Sequence, residues 1–152
     1  MGTLTDDMKR IVAEQKLGFV ATVDADGSPN LAPKATMLVL DDGHVMFGDI
    51  RSPNTIANVR ERPAMEINFV DAFVRKGYRF KGRARYAERG SAEFEALLPR
   101  FEQWGALCDR FRGIVILAVE RAAAVTSPAY DDGATESELR AHWSKYFADL
   151  GG

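Results

Sequence analysis

The sequence predicts a single domain, residues 1–152, of mainly β structure with flanking helices, in which six antiparallel strands form a small barrel. Three observations support this fold class. Six short segments have the composition or the alternation of apolar and polar side chains that is typical of strands. Turn sequences join the early segments as hairpins, which makes the sheet mainly antiparallel. Closing six short strands into a barrel would also remove the exposed edges of the sheet.

The first helix and the first hairpin are expected in the first 40 residues. Thr5 can cap a helix over residues 5–16, because two aspartates follow it and apolar side chains recur on one face. Residues 17–23 form the first strand, and the turn sequence of residues 24–29 sends the chain back. The return strand covers residues 30–40. Pro33 interrupts it, which marks a bulge, an edge or a break in pairing.

The second half continues with strands at residues 44–49, 64–70, 75–88 and 113–125, the last being the most apolar. A short helix is expected near residues 55–60. A longer helix is expected at residues 91–111, kinked or split at Pro99. Thr135 and Glu138 have the spacing of a capping box that opens a final helix.

Composition limits the classes of function. A net charge of −2 argues against a nucleic-acid-binding protein held by bulk electrostatics, and no apolar run approaches the length of a membrane span. The single cysteine, Cys108, cannot form a disulfide framework and fits a reducing cytoplasm. We expect no metal site, since His44 and His142 lack the spacing of metal ligands.

The segment of residues 48–58, GDIRSPNTIAN, has the strongest chemical signal. Hydroxyl, amide and guanidinium side chains gather around Pro53, directly before a predicted helix. A helix start offers free backbone N–H groups and the positive end of a dipole, which suit a phosphate. The alternative is an ordinary cap, in which Asn54 or Thr55 closes the first turn.

Residues 75–88 alternate between an apolar and a basic face. The basic face could contact an acidic substrate or a second subunit, and Arg79 and Lys81 are the candidate substrate residues. The alternative is a solvated face of the barrel.

The order of these motifs resembles the FMN-binding split-barrel family, which includes pyridoxamine 5′-phosphate oxidase and many small relatives. The strand FVATV, the turn DGSPN, a Pro-Lys strand, the turn DDG, the segment GDIRSPNTIANVRERP and the strand AMEINFV carry the resemblance over residues 17–86. The barrel expected from it is a six-stranded antiparallel split β-barrel.

The resemblance implies a homodimer with two FMN sites in grooves between the subunits. The flavin would lie on the strand that contains Pro33, Lys34, Ala35, Thr36 and Met37. Its phosphate would be held by the turn that contains Arg51, Ser52, Asn54 and Thr55, while Gly48, Asp49 and Ile50 would run under the ribityl chain and the ring edge. Lys34 would place a positive charge near the N1–C2 edge of the flavin.

The resemblance therefore implies a cytoplasmic flavin-dependent oxidoreductase that acts on a small molecule, with no catalytic side chain evident. Oxidation of pyridoxamine phosphate itself is not expected. Pro53 and Asn54 interrupt the place of an Arg-Lys pair in the oxidases, and Gly77 stands where they offer a glutamine. The alternatives are a flavin carrier or sensor without turnover, and a split barrel that uses deazaflavin F420 or haem.

Overall fold

In residues 2–152, which the computed structural model describes, one antiparallel sheet of seven strands is combined with four α helices and two 3-10 segments. The helices are α1 (Asp6–Gln15), α2 (Pro53–Glu61), α3 (Ala92–Leu97) and α4 (Glu136–Gly151). The strands are β1 (Gly18–Val23), β2 (Pro29–Lys34), β3 (Met37–Asp41), β4 (His44–Asp49), β5 (Ala64–Asp71), β6 (Lys76–Glu88) and β7 (Gly113–Thr126). The 3-10 segments are Leu98–Arg110 and Pro128–Tyr130.

The strands lie in the order β2-β1-β5-β6-β7-β4-β3, and every neighbouring pair is antiparallel. This confirms the predicted fold class, but the predicted count of six strands is wrong. The expected return strand is two strands, because Ala35 and Thr36 break it after Lys34. Pro33 lies within β2, opposite Phe19. It is tolerated there because β2 is an edge strand and needs no donor on its outer side.

The connection between β2 and β3 forces the sheet to curl. These strands form the two opposite edges, yet only Ala35 and Thr36 separate them in the chain. Two intervening residues span at most about 11 Å, whereas seven strands laid flat would hold the edges about 29 Å apart. The two edges do not pair with each other, so full closure of the barrel was wrongly predicted. The barrel is open along this seam.

Two apolar clusters lie on opposite sides of β4 and β7. The cluster inside the curl includes Phe47, Phe69 and Phe80, all fully buried. The outer cluster packs Phe94 and Phe101 of α3 and the first 3-10 segment against the sheet, together with Met46, Phe111, Ile114 and Ile116. This explains why β7 is the most apolar strand, since residues 113–117 are buried on both faces.

The predicted starts of the first and last helices, at Thr5 and Thr135, are confirmed. Thr5 Oγ1 accepts a hydrogen bond from the Met8 N–H at the start of α1. Thr135 and Glu138 form the predicted capping box of α4, with contacts of 3.2 and 3.0 Å. The predicted split of the helix near Pro99 is confirmed, since α3 ends at Leu97. The second half was wrongly predicted as α helix, because a 3-10 segment follows. Pro99 removes one backbone donor, and Gly105, at φ +52°, interrupts the helical conformation.

Among residues 2–152, we find no helix with the length and apolar character that crossing a membrane requires.

Gly82 is required where β6 and β7 approach each other at a register shift. A Cβ atom on Gly82 would lie 1.9 Å from the Ala118 carbonyl oxygen, whereas one on Gly43 would meet nothing closer than 3.7 Å. We expect Gly82→Ala to lower the free energy of unfolding by about 2 kcal/mol, since strands must separate to admit the methyl group. Urea unfolding checks this, with Gly43→Ala as the matched control. Equal stability of the two variants would contradict the close approach.

Candidate functional site

A cavity of about 380 Å³ lies where the β2–β3 connection, the end of β4 and the start of α2 meet. We call it the corner cavity. It brings together eight of the predicted cofactor residues: Pro33, Lys34, Ala35, Thr36, Gly48, Ile50, Arg51 and Ser52. Residues far apart in the chain therefore share one concave surface, as a ligand site requires.

Thr36 fixes the strand connection to β4. Its buried hydroxyl donates to the Gly48 carbonyl oxygen at 2.9 Å, and the Gly48 N–H donates to the Thr36 carbonyl oxygen at 3.1 Å. Gly48 must lack a side chain, because a Cβ atom would lie 2.3 Å from the Phe111 ring. These contacts hold one wall of the corner cavity in place. The hydroxyl proton of Thr36 is already used in the hydrogen bond to Gly48.

The start of α2 forms another wall and has unused hydrogen-bonding capacity. Ser52 occupies the cap position, Pro53 follows it, and the Ser52 side chain makes no capping hydrogen bond. Ser52 is 8% exposed, and its hydroxyl oxygen has no hydrogen-bond partner among the described residues. A buried polar atom without a hydrogen-bond partner destabilises the fold, so the Ser52 hydroxyl is a candidate hydrogen-bonding group for a ligand at the helix start.

A polar network ties α2 to the β1–β2 hairpin. The Asn58 amide group donates to Thr22 Oγ1 at 3.0 Å and to Asp24 Oδ1 at 2.8 Å. The Arg62 guanidinium donates to Asn58 Oδ1 at 3.2 Å and to the Val23 backbone carbonyl oxygen at 2.9 Å. Since Asn58 and Thr22 are buried, this network fixes where the start of α2 points.

The corner cavity is positively charged. Lys34, Arg51 and Arg110 line it, and none of its lining residues is acidic. Burial lowers the pKa of Lys34, and the nearby Asp49 carboxylate partly opposes this effect. A cavity with three cationic side chains and a free helix start is suited to an anion.

Asp49 lies behind the cavity rather than in its lining. It is buried, and its Oδ2 atom accepts a hydrogen bond of 3.0 Å from the Tyr86 hydroxyl. Its Oδ1 atom has no partner among the described residues. Burial, together with the Asp49 charge and hydrogen bond, raises the pKa of Tyr86 to about 12. Asp49 thus provides a buried negative charge close to Lys34.

The other predicted residues lie elsewhere. Met37 packs in the inner core, Asn54 is exposed, and buried Thr55 is 3.5 Å from the Asn30 amide nitrogen. Arg79 and Lys81 line a different cavity on the outer face of the sheet, beside Glu66. In one chain they therefore do not reach the corner cavity.

Sequence reasoning missed Leu107 and Arg110, which line the corner cavity from the first 3-10 segment. The periodicity of residues 91–111 indicated α helix on both sides of Pro99, whereas Leu107 and Arg110 lie in a 3-10 segment. The Gly105 break is the signal that could have revealed the change of direction.

Comparisons with known proteins place the chain among proteins of this fold. A model of the pyridoxamine 5′-phosphate oxidase family matches residues 4–130. An uncharacterized protein of Methanocaldococcus jannaschii is 32% identical over 89 residues, which cover 57% of this chain and 58% of that protein. The match thus spans little more than half the length of that relative.

Solved structures of similar fold agree with the family match. HupZ from Group A Streptococcus is 33% identical, with a TM-score of 0.71, and the match covers 82% of this chain and 95% of that chain. An FMN-binding protein from Syntrophomonas wolfei has a TM-score of 0.64 at 16% identity, covering 80% and 86% of the two chains. An F420 reductase has a TM-score of 0.61 at 13% identity, covering 79% and 98%. The last two share the fold alone.

We expect Asn58→Ala to lower the free energy of unfolding by about 1–3 kcal/mol. The substitution leaves the Thr22 hydroxyl and the Arg62 guanidinium without their buried partner. Asn54→Ala, on the same helix but exposed, is the matched control and should stay close to the wild-type value. Urea unfolding measures both. If Asn58→Ala is as stable as Asn54→Ala, the network does not hold α2.

Tyr86 gives a prediction about pH. Its pKa is raised from 10.0 to about 12 in the folded chain. The unfolded chain therefore loses this proton at lower pH, and the folded state loses stability as the pH rises from 10 to 12. We expect the stability of Tyr86→Phe to fall less steeply across this window than that of the wild type. Urea unfolding at each pH tests this against Tyr146→Phe, an exposed control, and equal slopes for all three proteins would refute it.

Proposed function

Because the chain belongs to the pyridoxamine 5′-phosphate oxidase family, whose members generally bind flavins, we propose that it holds FMN in the corner cavity. We further propose that it is an oxidoreductase acting on a small organic molecule. The observation that carries the proposal is the buried Ser52 hydroxyl at the start of α2, which has no hydrogen-bond partner within residues 2–152. The proposed function concerns the site, and it does not extend to oxidation of pyridoxamine phosphate.

The start of α2 is suited to the FMN phosphate. That phosphate carries close to two negative charges, and α2 offers backbone N–H groups, the Ser52 hydroxyl and the adjacent Arg51 guanidinium. Arg110 adds a further cation from the 3-10 segment. We propose this group as the phosphate site, with exposed Asn54 and buried Thr55 in supporting roles on the same helix.

The strand connection is suited to the flavin ring. We propose that the backbone of Pro33, Ala35, Thr36 and Met37 runs beside the ring, with Gly48, Asp49 and Ile50 facing its edge and the ribityl chain. Lys34 would stabilise negative charge at the N1–C2 edge, which makes reduction easier. Bound flavin would supply hydride chemistry at N5; the chain itself binds, orients and tunes it.

A homodimer is part of the proposal, since members of the family are commonly dimeric. Leu17, Phe19 and Leu31 are large apolar side chains that are exposed in the single chain. Phe19 is the register partner of Pro33, so this apolar area adjoins the corner cavity. A second subunit packed on this area would cover the apolar side chains and the adjoining corner cavity. Arg79 and Lys81 would then act on the substrate only from the partner subunit.

The free Cys108 fits a cytoplasmic location.

The absorption spectrum of protein purified without added cofactor separates FMN from the deazaflavin and haem alternatives. A spectrum of oxidised flavin supports the proposal, and a Soret band or a deazaflavin spectrum overturns it. Stopped-flow mixing of the flavin-loaded protein with NADH or NADPH then separates an oxidoreductase from a carrier. Flavin reduction that is too slow for turnover with either donor would favour the carrier.

We expect Arg51→Ala combined with Ser52→Ala to weaken FMN binding at least tenfold. Hydrogen bonds to charged groups contribute about 1.5–3 kcal/mol, and about 1.4 kcal/mol is tenfold in affinity. Quenching of FMN fluorescence measures the dissociation constant. Arg100→Ala removes an exposed cation whose guanidinium contacts the Leu40 carbonyl oxygen, and it should bind FMN like the wild type.

Riboflavin, which lacks the phosphate, makes the test specific. The double variant should bind riboflavin as the wild type does, since the lost contacts concern only the phosphate. Unchanged FMN affinity in the double variant would remove the phosphate site from the start of α2.

A further inference from the structure

A second cavity, of about 520 Å³, lies on the outward face of β5, β6 and β7. It shares no residue with the corner cavity. Its lining includes Arg79, Lys81, Arg121, Glu66, Ala122 and Ala123. We call it the outer groove. The two cavities are therefore distinct within one chain.

The outer groove has excess positive charge. Glu66 forms ion pairs with Arg79 at 3.1 Å and with Lys81 at 3.8 Å, so one carboxylate holds two cations side by side. Arg121 makes no ion pair within residues 2–152. Three cationic side chains and one carboxylate give the groove a net positive charge, which favours an anionic ligand. Arg121 is the cation that Glu66 does not pair with.

A bulge in β7 places Arg121 in the groove. The register with β6 shifts at Lys81, so Glu120 is an extra residue between Val119 and Arg121. Before the shift, Val119 faces the inner core; after it, Ala122 packs against that core and Arg121 faces outward beside Lys81. Bulges that re-aim side chains are frequent next to functional sites.

The groove continues as an apolar depression of about 230 Å³ that shares Glu66 and Lys81 with it. Its lining is mostly apolar, with Ala21, Val23, Pro29 and Ala64. Sheet register places Ala21, Glu66, Lys81 and Arg121 in one row across four strands. Along this row the outward face changes from apolar at Ala21 to cationic at Lys81 and Arg121, with the ion-paired Glu66 carboxylate between them.

We propose that the outer groove binds a small amphipathic anion, with its anionic head beside Arg121 and Lys81 and a short apolar tail towards Ala21 and Ala64. The charge excess selects the head group, and the apolar depression selects a tail over a purely ionic ligand. Within one chain this site is separate from the corner cavity, but the proposed homodimer would bring Arg79 and Lys81 to the partner's substrate. The corner-cavity variant in the test below distinguishes the two sites.

Hexanoate and acetate are the probes, measured by isothermal titration calorimetry on the protein loaded with FMN. Hexanoate should bind at least tenfold more tightly than acetate, because each fully buried methylene group contributes about fourfold in affinity. Lys81→Ala with Arg121→Ala should weaken hexanoate binding at least fivefold. Arg85→Ala with Arg100→Ala removes the same charge outside the groove and should leave it unchanged.

Two further variants make the outcome decisive. Ala64→Trp fills the apolar depression, so hexanoate should lose its advantage over acetate while acetate binding is kept. Arg51→Ala with Ser52→Ala should bind hexanoate normally, since these residues belong to the corner cavity. The proposal is overturned if hexanoate does not bind, if the groove variant binds it as tightly as the charge-matched control, or if the corner-cavity variant abolishes binding.

Discussion

The two-residue connection between β2 and β3 is the constraint on which the architecture depends. It joins the opposite edges of a seven-stranded sheet, so the sheet must curl until those edges approach each other. The curl creates an inner core, and the connection itself becomes a wall of the corner cavity. Thr36 secures that wall by its hydrogen bond to Gly48. The same few residues therefore determine both the shape of the barrel and the position of the corner cavity.

Local sequence signals predicted much of this fold, and they failed where long-range packing decides the conformation. The hairpin turns, the caps at Thr5 and Thr135, and the strand boundaries follow from short-range chemistry. Pro33 indicated a bulge, an edge or a break in residues 30–40, but the division at Ala35 and Thr36 could not be predicted, because it depends on which edge each half joins. Likewise, the apolar spacing of residues 91–111 fits a helix, yet Pro99 and Gly105 redirect the chain over the outer core.

The candidate site was predictable in part for a similar reason. The turn around Pro53 contains its chemistry within a few residues, so Arg51 and Ser52 could be found from the sequence. Arg110 and Asn58 could not, because one reaches the cavity through a 3-10 segment and the other acts through a hairpin distant in the chain. The alternating pattern of β6 indicated Arg79 and Lys81, but their companion Arg121 depends on a bulge that no local signal marks.

β4 and β7 form a common wall between two cores, and this has a consequence for cooperativity. Met46, Ile114 and Ile116 are fully buried only while α3 and the first 3-10 segment cover them. That outer layer cannot detach by itself without exposing them, so layer and barrel should open as one unit in hydrogen exchange. Because the layer also contributes Leu107 and Arg110 to the corner cavity, occupancy there would slow opening far beyond the contacted residues.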